Sequence, residues 1–173
     1  MKKAIVILCL LVLLPMAVSA QSKTVFKNVT GYYHLLDQKA NPLPTGSETY
    51  KLCSFSYNYV PNSSPKHISL SFKLSNGNGK GRSVNLDSKL CKITKQNDNS
   101  FYYGIFLYER DGSPKGYYIF KSEPYLKTTE VYYVENKGPK PIYKERYTFF
   151  EKFETVSTVL DWIYTNSLMP QIH

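Results

Sequence analysis

His67-Ile68-Ser69-Leu70-Ser71-Phe72-Lys73-Leu74-Ser75 alternates polar and apolar residues without a break. Side chains of a strand repeat every two residues. Ile68, Leu70, Phe72 and Leu74 therefore share one face, and His67, Ser69, Ser71 and Lys73 the other. The same period runs from Tyr50 to Tyr59, where Cys53, Phe55, Tyr57 and Tyr59 fall on one side. Other strand-like runs cover 25–36, 82–94, 100–110, 115–122, 128–135 and 141–149, making eight candidates in all.

Turn chemistry separates these runs. Asn41-Pro42-Leu43-Pro44-Thr45-Gly46, Pro61-Asn62-Ser63-Ser64-Pro65 and Asn76-Gly77-Asn78-Gly79-Lys80-Gly81 read as loops. Asp111-Gly112-Ser113-Pro114 and Asn136-Lys137-Gly138-Pro139 read as hairpin connections. The spacing is too short for crossover helices, so the sheet is expected to be antiparallel. One helix is predicted, at the C-terminus. Phe153, Val156, Leu160 and Ile163 recur at three- and four-residue steps, with Val159 and Tyr164 widening the stripe. Thr155 or Thr158 is the expected cap, and Pro170 lies just past the end. The fold class is mainly β: an antiparallel eight-stranded barrel or sandwich with one C-terminal α-helix.

The first twenty residues read as an export signal. Lys2 and Lys3 precede an apolar run from Ala4 to Leu14, and Ala17-Val18-Ser19-Ala20 supplies small residues before Gln21. Cleavage is expected between Ala20 and Gln21, leaving residues 21–173 as one β-rich domain in the periplasm or outside the cell. The run is too short to span a bilayer, and no transmembrane segment is expected after cleavage. Cys9 lies inside the run, so no lipid-attachment pattern forms at the cleavage point. Asn28-Val29-Thr30 and Asn62-Ser63-Ser64 are glycosylation sequons, relevant only in a eukaryotic host.

Two cysteines remain, Cys53 and Cys91, and an exported chain is expected to pair them. Such a bridge would close a loop of about forty residues, worth roughly 3–4 kcal/mol. The charge is +9 for the full chain, two of those charges belonging to Lys2 and Lys3. Arginine occurs only at 82, 110 and 146. Scattered lysines favour solubility and, second, acidic surfaces; nucleic acid is not the expected partner of an exported, arginine-poor chain.

Tyrosine is the unusual residue, 16 copies beside 9 Phe and one Trp. Tyr32-Tyr33, Tyr102-Tyr103, Tyr117-Tyr118 and Tyr132-Tyr133 are adjacent pairs, the last three spaced by fifteen residues. In a strand each pair sends one ring to each face. Tyr102, Tyr103, Tyr117, Tyr118, Tyr132 and Tyr133 are therefore the candidate ligand-binding residues, in a cavity or on a face. The competing use of the same rings is core packing and β-propensity. A looser similarity at an offset of 25 relates Tyr108, Asp111, Pro114, Lys115 and Tyr118 to Tyr133, Asn136, Pro139, Lys140 and Tyr143. It predicts hairpins, with Arg110 opposite Lys115 and Tyr108 opposite Tyr117.

No catalytic residue, metal ligand set or cofactor motif is assigned. His34, His67 and His173 lack ligand spacing, and no H-E-x-x-H, G-x-S-x-G, P-loop or G-x-G-x-x-G occurs. Gly77, Gly79 and Gly81 before Arg82 form a weak anion-cradle pattern, more simply a hairpin loop. Gly31-Tyr32-Tyr33-His34-Leu35-Leu36, opening a run of eight strands and a helix, resembles the start of lipocalin-like (calycin) barrels, with Tyr33 where that motif carries Trp. The resemblance implies a cup for a small apolar ligand and transfers no binding residues. The expected function is an exported, monomeric binding protein for a small molecule or glycan. The alternatives are an exported module that binds another protein, of inhibitor or immunity type, and a small hydrolase with a carboxylate pair.

Overall fold

The computed structural model describes residues 20–64, 66–96, 102–123, 127–136 and 140–173. Nine strands follow one another: β1 (Gln21–Leu36), β2 (Pro42–Val60), β3 (His67–Ser75), β4 (Gly81–Asp87), β5 (Cys91–Gln96), β6 (Tyr102–Tyr108), β7 (Pro114–Glu123), β8 (Thr128–Glu135) and β9 (Ile142–Phe149). Helix α1 (Phe153–Thr165) ends the chain's regular structure. The protein is thus mainly β, with an antiparallel sheet and one C-terminal helix. The segment expected to be an export signal lies outside the described residues apart from Ala20, which is exposed, as is Gln21 at the start of β1.

All nine strands form one sheet in the order β4-β3-β2-β1-β9-β8-β7-β6-β5. Every pair of strands consecutive in the chain is hydrogen-bonded except β4 and β5, and β1 also pairs with β9. The sheet is a meander that curls on itself without closing. Phe72 of β3 touches Tyr118 and Phe120 of β7 and Tyr147 and Phe149 of β9, at centroid distances of 5.7, 6.1, 5.0 and 5.9 Å. Strands far apart in sheet order therefore share one core. Ile68, Leu70, Phe72 and Leu74 are fully buried, as the alternation predicts.

Helix α1 covers this core with the predicted stripe, Phe153, Val156, Leu160 and Ile163, all buried. Trp162 wedges between the rings of Tyr57 and Tyr59, 5.6 and 5.4 Å away. The N-cap differs from expectation. It is Lys152, with no side-chain cap bond. The Thr155 hydroxyl instead donates to the Glu151 carboxylate, and that of Thr158 to the Glu154 carbonyl.

Three local expectations are corrected. The run 82–94 is two strands, because Asp87 turns the chain: its carboxylate accepts the Lys89 N–H at 2.8 Å and its carbonyl the Leu90 N–H. Of the loop expected at Asn41–Gly46, Pro42 to Gly46 belong to β2, and the turn sits earlier. There Asp37 holds the N–H groups of Lys39 and Asn41, and Ala40 takes a positive φ of 64°. In the β6–β7 hairpin the register shifts by a bulge, so Tyr108 opposes Pro114 and Tyr117 opposes Phe106 rather than Tyr108. Glu109 is drawn into the loop, its N–H donating to the Ser113 carbonyl and its carbonyl accepting from Gly112.

Candidate functional site

The site follows from strand parity. Eight antiparallel interfaces separate β4 from β5 around the sheet, so the two edge strands run in the same direction. Parallel neighbours need a crossover of a dozen or more residues. Only Ser88, Lys89 and Leu90 link these two. β4 and β5 therefore follow one another end to end through the Asp87 corner, the first half of the run pairing with β3 and the second with β6. A seam is left beside β4, and it is a cleft of about 330 Å³.

One wall of the cleft is Ser83 to Asp87 of β4. The opposite wall and floor hold Cys91, Leu107, Tyr108, Lys115, Tyr118 and Tyr133. Tyr118 and Tyr133 oppose one another in the β7–β8 ladder, with centroids 5.1 Å apart. Tyr118 is buried and Tyr133 half-buried. Burial, followed by the nearby Glu145 carboxylate, pushes the Tyr118 hydroxyl well above the ordinary tyrosine value, so it stays a neutral donor. Asp87 is the one carboxylate among the described lining residues. It also meets His67 Nε2 at 2.8 Å, so it braces the corner.

The six candidate tyrosines divide as strand geometry requires. Tyr103, Tyr118 and Tyr133 point into the curl; Tyr102, Tyr117 and Tyr132 point out. Only Tyr118 and Tyr133 meet at the cleft. Tyr103 is fully buried and donates to Asp161 of α1 at 3.0 Å, so it anchors the helix. Tyr117 stacks on Phe106 at 4.9 Å. Tyr102 donates to Gln96. Tyr132 donates to the buried Glu130 at 2.5 Å, beneath Lys121. Its hydroxyl is pushed up to about 12 by burial and by that bond.

A second polar group lies within the curl. Glu145 accepts from the hydroxyls of Tyr33, at 3.0 Å, and of Tyr147. Arg82 lies over the Tyr33 ring at 3.6 Å and pairs with Glu48 at 3.1 Å. The Tyr50 hydroxyl donates to the same Glu48. Each carboxylate here is held by two donors, an arrangement that fixes rings rather than leaving acid groups free for chemistry. The glycine loop is likewise self-satisfied in part: Gly77 N–H donates to Ser75 Oγ and Lys80 N–H to Asn78 Oδ1.

No protein-family model, curated protein or solved structure matches this chain.

The expected Cys53–Cys91 disulfide is not formed; both residues are buried free thiols. The reason is register. The Cys53 thiol lies against the backbone of Ser75, at one end of β3. The Cys91 thiol lies against that of Asp87, which pairs with Ser69 near the other end. Six residues of strand separate these positions by about 20 Å, far beyond disulfide reach. Burial pushes the thiols up to about 11 for Cys53 and about 12 for Cys91. Sequence reading missed β4, Leu107, Tyr108 and Lys115 as cleft residues. The available signal was the Asp87-Ser88 turn pair inside an otherwise strand-like run.

Proposed function

We propose that this is an exported binding protein that holds its ligand in the seam beside β4, against the rings of Tyr118 and Tyr133. One observation carries the reading: two inward tyrosines that face each other across a ladder also line a cleft of about 330 Å³. That volume is at the lower end of ligand pockets, roughly 300–1,000 Å³. Aromatic faces supply contact area and the hydroxyls supply orientation. The resemblance of the Gly31–Leu36 segment to the start of calycin barrels would imply a ligand-holding cup of this kind. The single cleft carboxylate, already bonded, favours binding over a two-acid hydrolysis.

The test is native mass spectrometry of protein purified from its own host. A bound mass is expected on the wild type and on Tyr117→Ala, whose ring lies on the outer face, and not on Tyr133→Ala. A protein without any adduct, or an adduct retained equally by Tyr133→Ala, would overturn the assignment.

A further inference from the structure

The two edges of the open sheet are treated differently. The chain's own tail bridges the β5 edge at Ile93: the Ile93 N–H donates to the Pro170 carbonyl at 2.8 Å, and the Ile172 N–H donates to the Ile93 carbonyl at 3.0 Å. No strand or tail covers β4 among the described residues. Its sequence, Gly81-Arg82-Ser83-Val84-Asn85-Leu86-Asp87, has no Pro, Lys or bulge, and its two charged residues are engaged within the fold, Arg82 with Glu48 and Asp87 with His67.

Register shows which backbone groups are free. The Ser88 N–H donates to the Ile68 carbonyl, so these two residues form a hydrogen-bonded pair. Antiparallel pairs alternate. Leu86 with Leu70 and Val84 with Phe72 are then bonded pairs, and Ser83, Asn85 and Asp87 turn their N–H and C=O groups away from β3. All three line the cleft, and Ser83 and Asn85 are exposed. The cleft thus offers the N–H and C=O groups of Ser83 and Asn85 and the N–H of Asp87 along one wall, the Asp87 carbonyl being taken by the Leu90 N–H, and aromatic rings on the other.

From this we infer that the ligand is an extended peptide segment of about five residues, which adds to β4 as an antiparallel strand. The inference rests on the cleft's being the binding site. A strand antiparallel to β4 is antiparallel to β5 as well, so it continues the alternation of the meander. Its inward side chains would fall toward Leu107, Tyr118 and Tyr133, which calls for apolar or aromatic residues at every second position. A second copy of this chain does not fit. Its edge strand brings a neighbour about 4.8 Å behind it, and a cleft of about 330 Å³ faced by Tyr108 and Lys115 has no room for two strands.

The probe is a mixture of N-acetylated, C-amidated pentapeptides randomised at every position, captured on the immobilised chain from Gln21 onward and sequenced by mass spectrometry. Enrichment of sequences with alternating apolar residues is expected. The best peptide, resynthesised with alternate amides N-methylated, should lose binding in one register and keep it in the other. Asn85→Pro removes one outward N–H without touching a β3 bond, and should weaken that peptide about three- to tenfold. No enrichment over the blank matrix, or binding indifferent to N-methylation in both registers, overturns the peptide assignment. A host-derived adduct that Tyr133→Ala removes and Asn85→Pro leaves intact would overturn the peptide while keeping the cleft as the site. An adduct that Tyr133→Ala retains would remove both.

Discussion

Phe72 is where the curl is held together, and its removal gives the sharpest test of the fold. The side chain is fully buried and touches four rings from two strands on the far side of the core. Phe72→Ala leaves those rings facing a void that close packing cannot fill without moving β3. Buried Phe→Ala changes cost about 3–5 kcal/mol, and aromatic pairs contribute about 0.5–1.5 kcal/mol each beyond area, so the upper half of the range applies. For a domain of this size each kcal/mol moves Tm by about 2–4 °C, giving a fall of roughly 8–20 °C. Urea titration followed by Trp162 fluorescence measures the free-energy loss and a thermal melt the Tm, because that lone Trp sits between Tyr57 and Tyr59 and reports on helix docking. Phe150→Ala is the control: Phe150 is 48% exposed, and surface changes stay within about 0.5 kcal/mol. A Phe72→Ala loss below about 1.5 kcal/mol, or one equal to the control, would mean that β3 does not pack across the curl.

Other expectations follow from the same geometry. The purified chain from Gln21 onward should carry two free thiols, unreactive to a thiol reagent when folded and both labelled in denaturant; a mass two hydrogens lighter than the reduced chain would restore the bridge. Gly31→Ala should destabilise by about 1–3 kcal/mol, because a Cβ there would lie 2.7 Å from Cys53 Sγ and 2.9 Å from the Thr148 carbonyl. Adding Cys53→Ala should not restore the stability, since the backbone contact remains; full rescue in a thermal melt would contradict this. Bonds from Lys95 and then Tyr103 hold the Asp161 carboxyl below the ordinary aspartate value. Its contribution is therefore present above the unfolded aspartate pKa and lost as pH falls through the lower folded value. Asp161→Asn should be less stable than wild type at neutral pH, with the difference shrinking as pH drops below about 4; a constant difference in pH-dependent melts would refute it.

The alternation in 67–75 was legible because a half-buried strand writes its two faces directly into the residue order, and the helix stripe was legible for the same reason. The division of each Tyr-Tyr pair between faces followed from strand geometry alone. Which inward tyrosines meet a cleft did not, because that depends on where the sheet stays open, and strand pairing between distant segments leaves no local signature. Asp87 shows the limit. As one polar residue in an apolar-alternating run it looks like an outward position, yet its carboxylate and carbonyl break the run into two strands. The disulfide expectation failed similarly: two cysteines in an exported chain carry no information about their separation along β3.

Splitting that run has a consequence for function beyond the strand count. Eight strands in an up-and-down ring alternate evenly, so first and last can pair antiparallel. Here the extra break makes the count nine and leaves two edges pointing the same way, joined by three residues that cannot support parallel pairing. The opening is therefore set by topology rather than by poor packing, and side-chain substitution alone will not zip it shut. The chain bridges one edge at Ile93 with Pro170–Ile172 and leaves the other beside two tyrosines. An unguarded edge invites indiscriminate pairing. On the peptide binding proposed above, the opposing wall of Tyr108 and Lys115 would admit only something one strand thick, and so would make the exposed edge selective.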